Sequence, residues 1–400
     1  MEQPIFILCH PKSGSTLLRI IMNAHPEIAC PPEAHLLIYG VAMHQTLSVT
    51  ERNALPEASL DDFNEEIISQ VRESLNTIMG RHTQRSGKRI WCDKSVTSLY
   101  DTDFLKKLFP DAKFVVLYRH CMDFIHSALE VARYGWEEIG IKVNDSANHV
   151  DSLAHFWEIE TSKLLDFHEE YSEQTHILCY ERLVTEPQHV LPQLFEFLGL
   201  EFPDNIIEAT FSNDHQFGAG DAKVQFTTGI ETENLGKGRF VPRDKIERTT
   251  ERKVNALLGQ LDYETIDAHW NSRSLPMAAR IDQPGSEEAK VVGQELERLF
   301  GQMLPIRLSA FSQNGSRQAR TVKLSILDCT DQSYILDFHS GKCMAVAADE
   351  PADTSLSFRY STLREIIEGK TNPGKAVSDG KIIMSGDVEA AGLVPQLFEH

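Results

Sequence analysis

His10-Pro11-Lys12-Ser13-Gly14-Ser15-Thr16-Leu17-Leu18-Arg19 is the stretch whose reading decides the fold. It follows an apolar run, Ile5 to Leu8, and opens a periodic one through Leu17, Leu18, Ile20 and Ile21. Strand, small-residue loop and helix start are therefore laid end to end. Such a junction aims backbone N–H groups and the positive end of a helix at one point, where a phosphate or sulfate would sit. Lys12 adds a mobile cation, and Ser13, Ser15 and Thr16 add hydroxyl donors. The G-x-x-x-x-G-K-[ST] spacing of a Walker A loop is not present. An ordinary helix N-cap is the plainer reading of the same residues.

Working outward, 400 residues exceed what one core usually organises, so two domains are expected. No segment approaches the continuous apolar length of a membrane span. The chain enters its first strand almost at once, which leaves no room for a secretory signal. Its seven cysteines are scattered and without C-x-x-C spacing, which argues against structural zinc and a disulfide framework and fits a reducing cytosol. No His, Asp or Cys cluster with metal-ligand spacing is evident, so no metal is expected. The net charge of −20 argues against a basic nucleic-acid-binding face. An anionic ligand would need a local cationic pocket against that background, so a few well-placed Lys and Arg residues carry the information.

From Ile5 to about Trp270 short apolar runs alternate with helical periodicity, the pattern of an α/β parallel sheet. Predicted strands are Ile5–Cys9, Ile90–Cys92, Phe114–Tyr118 and His176–Cys179, and helices are expected over Ser15–His25, Phe63–Met79, Leu99–Phe109, Met122–Arg133, Ser146–Tyr171, Glu186–Leu198, Lys245–Leu261 and Ala289–Met303, with a final one from Asp387. The segment Asn271–Glu287 breaks periodicity and carries Pro276, Pro284 and Gly285, which marks a linker. The division expected is a first domain over 1–272, a linker over 273–287 and a smaller α+β domain over 288–400.

A second basic site follows the central strand: Tyr118-Arg119-His120-Cys121-Met122-Asp123-Phe124-Ile125-His126-Ser127. Arg119 stands at a strand's C-terminal end, where ligands of open α/β sheets collect. Further motifs follow in order: Asp93-Lys94-Ser95, Leu108-Phe109-Pro110-Asp111-Ala112-Lys113-Phe114, Cys179-Tyr180-Glu181-Arg182-Leu183, and Gly236-Lys237-Gly238-Arg239. In this order, residues 4–262 resemble the sulfotransferases that use 3′-phosphoadenosine 5′-phosphosulfate (PAPS). The resemblance implies a P-loop-like parallel-sheet fold, with Lys12, Ser13, Gly14, Ser15 and Thr16 on the phosphosulfate. It implies Arg119, Ser127, Lys237 and Arg239 on the 3′-phosphate, and places Tyr180, Gly236 and Gly238 at the nucleotide site too. His120 departs from the acidic residue that many relatives carry there; orienting Arg119 or touching the ribose stands beside the plainer reading, a surface histidine.

The segment Asn23-Ala24-His25-Pro26-Glu27-Ile28-Ala29-Cys30-Pro31-Pro32-Glu33-Ala34-His35 resembles the protein-tyrosine sulfotransferase branch. That likeness implies Glu33 as the base that takes a proton from an acceptor hydroxyl. His35 is the competing base, and Lys94 either stabilises developing charge or simply pairs with Asp93. The implied chemistry is in-line displacement at sulfur, with the protein positioning reactants and neutralising charge. Residues 36–90 and 134–150 are expected to line the acceptor pocket.

The C-terminal region has its own likeness. Thr354 to Phe358, Glu368-Gly369-Lys370-Thr371-Asn372-Pro373-Gly374-Lys375-Ala376 and Gly380-Lys381-Ile382-Ile383-Met384-Ser385-Gly386-Asp387 resemble the sterol-carrier-protein-2 fold over roughly 288–400. That family surrounds an apolar lipid-binding tunnel; a scaffold or dimerisation role without lipid stands beside it. The leading expectation is a cytoplasmic PAPS-dependent sulfotransferase acting on a small-molecule or lipid-like hydroxyl acceptor, apolar or natural-product-like. Two other readings stay open: a non-catalytic lipid carrier with a vestigial nucleotide fold, and an ATP-using kinase, which the missing Walker spacing weakens. A homodimer is left undetermined.

Overall fold

The structure, a computed structural model, describes residues 3–54, 60–131, 148–212, 229–276, 279–280, 287–313, 320–330 and 333–397. Residues 134–147 of the expected acceptor wall, and Pro284 and Gly285 of the expected linker, lie outside the described residues. Contacts divide the chain into two compact units: Met1–Arg119, Val131–Lys142 and Phe156–Glu231 form one, and His120–Glu130, Val143–His155 and Thr232–His400 the other.

The first unit is built on five strands, β1 (Ile5–Leu8), β2 (Ile28–Ala29), β3 (Ile90–Asp93), β4 (Lys113–Tyr118) and β5 (Thr175–Cys179). They lie in the order β2-β3-β1-β4-β5, each pair parallel. β1, and β4 from Phe114 onward, read as continuous apolar runs and are buried there, as strands covered on both faces must be. Phe6 anchors the centre, with Trp91, Phe109 and Phe114 at ring-centroid distances of 5.4, 5.3 and 5.7 Å. Burying such side chains contributes about 1.5–3 kcal/mol each. The register pairs Phe6 with Asp93 and Leu8 with Val116. The C-terminal ends of β1, β3 and β4 therefore lie side by side, and the loop of 9–14, Lys94 and Arg119 leave the sheet at one edge.

The second unit holds β6 (Thr321–Ile326), β7 (Ser333–Asp337), β8 (Lys342–Val346), β9 (Thr354–Phe358) and β10 (Ile382–Gly386), in the order β10-β9-β6-β7-β8. All its pairs are antiparallel except β6 with β9. Alternation sorts the two faces. Val322, Leu324, Ile326, Leu356 and Phe358 enter one apolar core with Leu299, Phe300, Leu304 and Leu308, and Phe300 stacks on Tyr334 at 3.8 Å. On the other face, Lys323 Nζ donates to the carbonyls of Ala348 (2.7 Å) and Glu350 (3.0 Å), and Ser325 meets Ser333 at 2.8 Å.

The fold class expected from sequence, an α/β parallel sheet followed by a smaller α+β module, is the one observed. Several elements differ in detail. The two-residue β2 and the helices Leu36–Ala54, Tyr180–Thr185 and Ile206–Ser212 were not foreseen. The helix expected over Leu99–Phe109 starts at Thr102, because the Asp101 carboxylate accepts from Phe104 N (2.9 Å) and caps it there. Beyond Arg298 the helix expected over Ala289–Met303 widens into a π turn, Leu299–Met303, and continues through Leu304–Gln313. The helix expected from Asp387 is a single turn, Val388–Ala391.

Candidate active site

The loop after β1 is shaped by two left-handed residues, Lys12 (φ 64°) and Gly14 (φ 86°). Gly14 is the N-cap of the helix Ser15–Ala24 and has no side chain to occupy the first N–H groups. A Cβ there would stand 2.2 Å from Cδ2 of Tyr180, so only glycine fits. Ser13 Oγ lies 2.7 Å from Nδ1 of the fully buried His10, whose burial pulls its pKa down to about 4. Arg119 closes the loop from β4: its Nη1 donates to the Lys12 carbonyl (2.9 Å), its guanidinium lies 4.6 Å over the Tyr180 ring, and its own carbonyl accepts from Trp157 Nε1 (3.0 Å). Lys12 to Thr16, Arg119 and Tyr180 are thus brought together.

The second group stands on the neighbouring strand end. Lys94, fully buried just past β3, donates to Glu33 Oε1 at 2.5 Å. The lysine does not pair with Asp93, which instead accepts from Ser95 Oγ (2.8 Å) and Ser98 Oγ (3.1 Å). His35 completes the group, with Nε2 3.8 Å from Glu33 Oε2, Nδ1 3.2 Å from Thr97 Oγ1, and its backbone N donating to Ser95 Oγ (2.9 Å). The loop that carries Glu33 is tied to the helix Ser15–Ala24 by residues one turn apart: Arg19 Nη1 donates to the Cys30 carbonyl (3.2 Å), and Asn23 Oδ1 accepts from Cys30 N (3.0 Å). Cys9 joins the two groups. Burial pushes its thiol up to about 11, and it feels Lys94, Glu33 and a hydrogen bond from Ser15. Arg19 and Asn23 were not singled out from sequence; their i, i+4 spacing facing a proline-rich loop was the available signal.

The second unit carries the late glycine loop. Asp123 accepts from Gly236 N through Oδ2 (2.8 Å) and from Gly238 N through Oδ1 (2.6 Å). A Cβ at Gly238 would stand 2.5 Å from the Met122 carbonyl carbon, so the loop lies flat on the start of the helix Cys121–Val131. Lys237 Nζ donates to Asn234 Oδ1 (2.7 Å). Arg239 is buried, lies 3.7 Å over the Trp270 ring and donates through Nη2 to Glu264. Burial lowers its pKa and the Glu264 charge opposes that. Its Nη1 is buried with no hydrogen-bond partner, which is the arrangement an incoming anion would complete. Ser127 is half-buried on the helix Cys121–Val131.

His120 corrects an expectation. It is buried, its ring stacks on Trp270 at 4.9 Å and 8°, and Nε2 lies 2.9 Å from the Glu264 carbonyl. A distant tryptophan covers what the local sequence presents as a surface position. Asp123, Glu264 and Trp270, which hold the glycine loop, were likewise not foreseen. Among the described residues no group of three or more His, Cys, Asp or Glu stands together as a metal site, and no helix is long and apolar enough to cross a membrane.

The family model described as "Sulfotransferase family" matches residues 4–204, and that of the "SCP-2 sterol transfer family" matches residues 308–399. Protein-tyrosine sulfotransferase 2 of Gallus gallus is 26% identical over 260 residues, which is 63% of this chain and 60% of that protein. Protein-tyrosine sulfotransferase 1 of Danio rerio is 26% identical over 252 residues, 62% of each. The chain therefore spans about 60% of the length of the curated relatives it matches. Among solved structures, the sulfotransferase domain from the Synechococcus PCC 7002 olefin synthase shares the fold, with a TM-score of 0.50 at 23% identity, covering 66% of this chain and 98% of that domain. With its first half matched from the opening strand through Asp204, the chain belongs to the sulfotransferase family, and it carries a C-terminal SCP-2 region.

Proposed function

We propose that this protein transfers a sulfuryl group from PAPS to a hydroxyl of an apolar or natural-product-like acceptor, with Glu33 as general base. The observation that carries the reading is the Lys94–Glu33 pair at 2.5 Å on the strand next to the anion-binding loop. Adjacent strand ends put a fixed carboxylate beside a loop of N–H groups and a lysine, the pairing that in-line transfer needs.

When bound, PAPS supplies the sulfuryl group and a phosphate leaving group. We assign Lys12 to Thr16 to the phosphosulfate, and Arg119, Ser127, Lys237 and Arg239 to the 3′-phosphate. The partnerless Nη1 of Arg239 supports that assignment. Glu33 Oε2 takes the proton of the acceptor hydroxyl as the new O–S bond forms, while Lys94 holds Oε1 and fixes the carboxylate. Lys12 and the N-terminus of the helix Ser15–Ala24 meet the electron pair that stays with the departing phosphate. His35 orients the carboxylate. No residue in the scheme calls for a metal.

An apolar acceptor is supported by the surface next to this group: Ile38 and Tyr39, just after His35, are exposed, as is Tyr100, which feels the Glu33 charge. The SCP-2 region supports a hydrocarbon-bearing acceptor, whose effective concentration a tether on the same chain would raise. A reducing cytosol is part of the proposal, on the scattered spacing of the seven cysteines. The test is incubation with PAPS and two acceptor classes, a long-chain alcohol and a tyrosyl peptide, read by mass spectrometry. The reading expects a sulfated alcohol; sulfation of the peptide alone overturns the acceptor class, and no sulfation of any hydroxyl overturns the activity.

A further inference from the structure

The C-terminal sheet does not stand apart from the glycine loop within the second unit. Leu275 N donates to the Leu327 carbonyl at 2.6 Å, and Leu327 N donates to the Phe358 carbonyl at 3.0 Å. Ser274 Oγ donates to the Thr330 carbonyl (2.8 Å), and Asp328 Oδ1 accepts from Tyr360 N (2.7 Å). The residues on both sides of Arg359 are thereby fixed to the segment Ser274-Leu275. The same segment packs under the glycine loop, for a Cβ at Gly236 would stand 2.4 Å from Pro276 Cδ and 3.1 Å from Leu275 Cδ2. One short stretch of chain therefore holds the loop on one side and the end of β9 on the other.

What this joint delivers to the loop is a cation. The Arg359 guanidinium lies 5.0 Å over the ring of Phe240, the residue next to Arg239. It makes no ion pair with any described carboxylate. Charge alone does not make a site, but the buried Nη1 of Arg239 without a hydrogen-bond partner points independently to an acceptor at this loop. The half-buried His126, one residue before Ser127, senses the result. Its pKa falls to about 4, first through burial, with Glu130 and Asp123 opposing and with Lys237 and Arg359 both adding to the fall. The charges of Lys237 and Arg359 are thus both felt at one position of the helix Cys121–Val131, in a protein whose net charge is −20.

We infer that Arg359, carried by the SCP-2 region, is a binding residue for the 3′-phosphate of the sulfuryl donor, beside Arg239 of the same unit. The inference rests on the nucleotide reading proposed above. Its geometry is specific: the aromatic ring of Phe240 supports the aliphatic stem and plane of Arg359, leaving the guanidinium edge for a phosphate oxygen. A lysine would keep the charge but lose the flat stacking contact.

Calorimetry on the full chain tests it, with adenosine 3′,5′-bisphosphate and adenosine 5′-phosphate as probes. Arg359→Ala is expected to weaken bisphosphate binding about tenfold, the ordinary loss for one charge-assisted contact, and to leave 5′-phosphate binding unchanged. Arg359→Lys should recover part of the loss, and Arg364→Ala, which removes an exposed arginine of the same module, should change neither. Should the alanine variant not fold, Arg359→Gln, which keeps the stem over Phe240, carries the same measurement. Wild-type bisphosphate affinity in a folded Arg359→Ala or Arg359→Gln protein overturns the inference and leaves the nucleotide reading standing. Equal affinity of the wild type for the two probes overturns the nucleotide reading itself.

Discussion

Glu33 and Lys94, far apart in sequence, meet at 2.5 Å, with the lysine fully buried and the carboxylate nearly so. The pair leaves Glu33 Oε2 turned toward His35 at 3.8 Å. Taking two charges out of water is costly, and the pair offsets that only while both partners are present. Lys94→Met is therefore expected to destabilise the protein by about 3 kcal/mol and to abolish transfer, because it strands a carboxylate in a protected site. Adding Glu33→Leu should restore much of the stability and none of the activity. Denaturant melts of the single and double variants check this; equal stability of Lys94→Met and wild type would show that the pair is not buried as described.

Gly14 answers to two constraints at once, its φ of 86° and the Tyr180 ring 2.2 Å from any added Cβ. Gly14→Ala should cost roughly 1–3 kcal/mol of stability and lose most nucleotide affinity. Pairing it with Tyr180→Ala removes the clash and retains the backbone strain, so affinity should return only in part. Full recovery in the double variant would mean that the ring alone sets the loop.

The loop also carries a pH signature. His10 is buried neutral, its pKa pulled to about 4 in the folded state against about 6.5 when unfolded. The unfolded chain binds the proton more tightly, so stability is complete above about pH 6.5 and is lost as pH falls toward about 4. The loss from this one group is about 3 kcal/mol. His126 titrates over the same window. Urea melts across that range should show the slope, and His10→Asn should reduce it; an unchanged slope in that variant would assign the acid sensitivity elsewhere.

Much of this was legible in the residues themselves. The run Phe114 to Leu117 is continuously apolar, as a doubly covered strand is, and the stretch from Ile5 to Ile21 carries its strand, loop and helix in order. What escaped was non-local. β2 has two residues, Ile28 and Ala29, too few for any periodicity to show. The helix Leu36–Ala54 leaves Ile38, Tyr39 and Val49 exposed, so its apolar residues do not gather on one face. Glu33 and His35 could be ranked as bases from sequence, but the partner of Lys94 follows from the β2–β3 register, which no local pattern encodes. His120 looked like a surface residue because Trp270, which covers it, comes from a distant part of the sequence.

The central claim is that Glu33 accepts the acceptor's proton. Single-turnover sulfuryl transfer from PAPS by Glu33→Gln, measured alongside its affinity for adenosine 3′,5′-bisphosphate, tests it most directly. Glutamine keeps an oxygen for Lys94 Nζ yet cannot take up a proton at neutral pH. The expected result is a rate lower by about 10²–10⁴ with nucleotide affinity unchanged. A fully active Glu33→Gln enzyme, with His35→Ala inactive, would contradict the claim and move the base to His35.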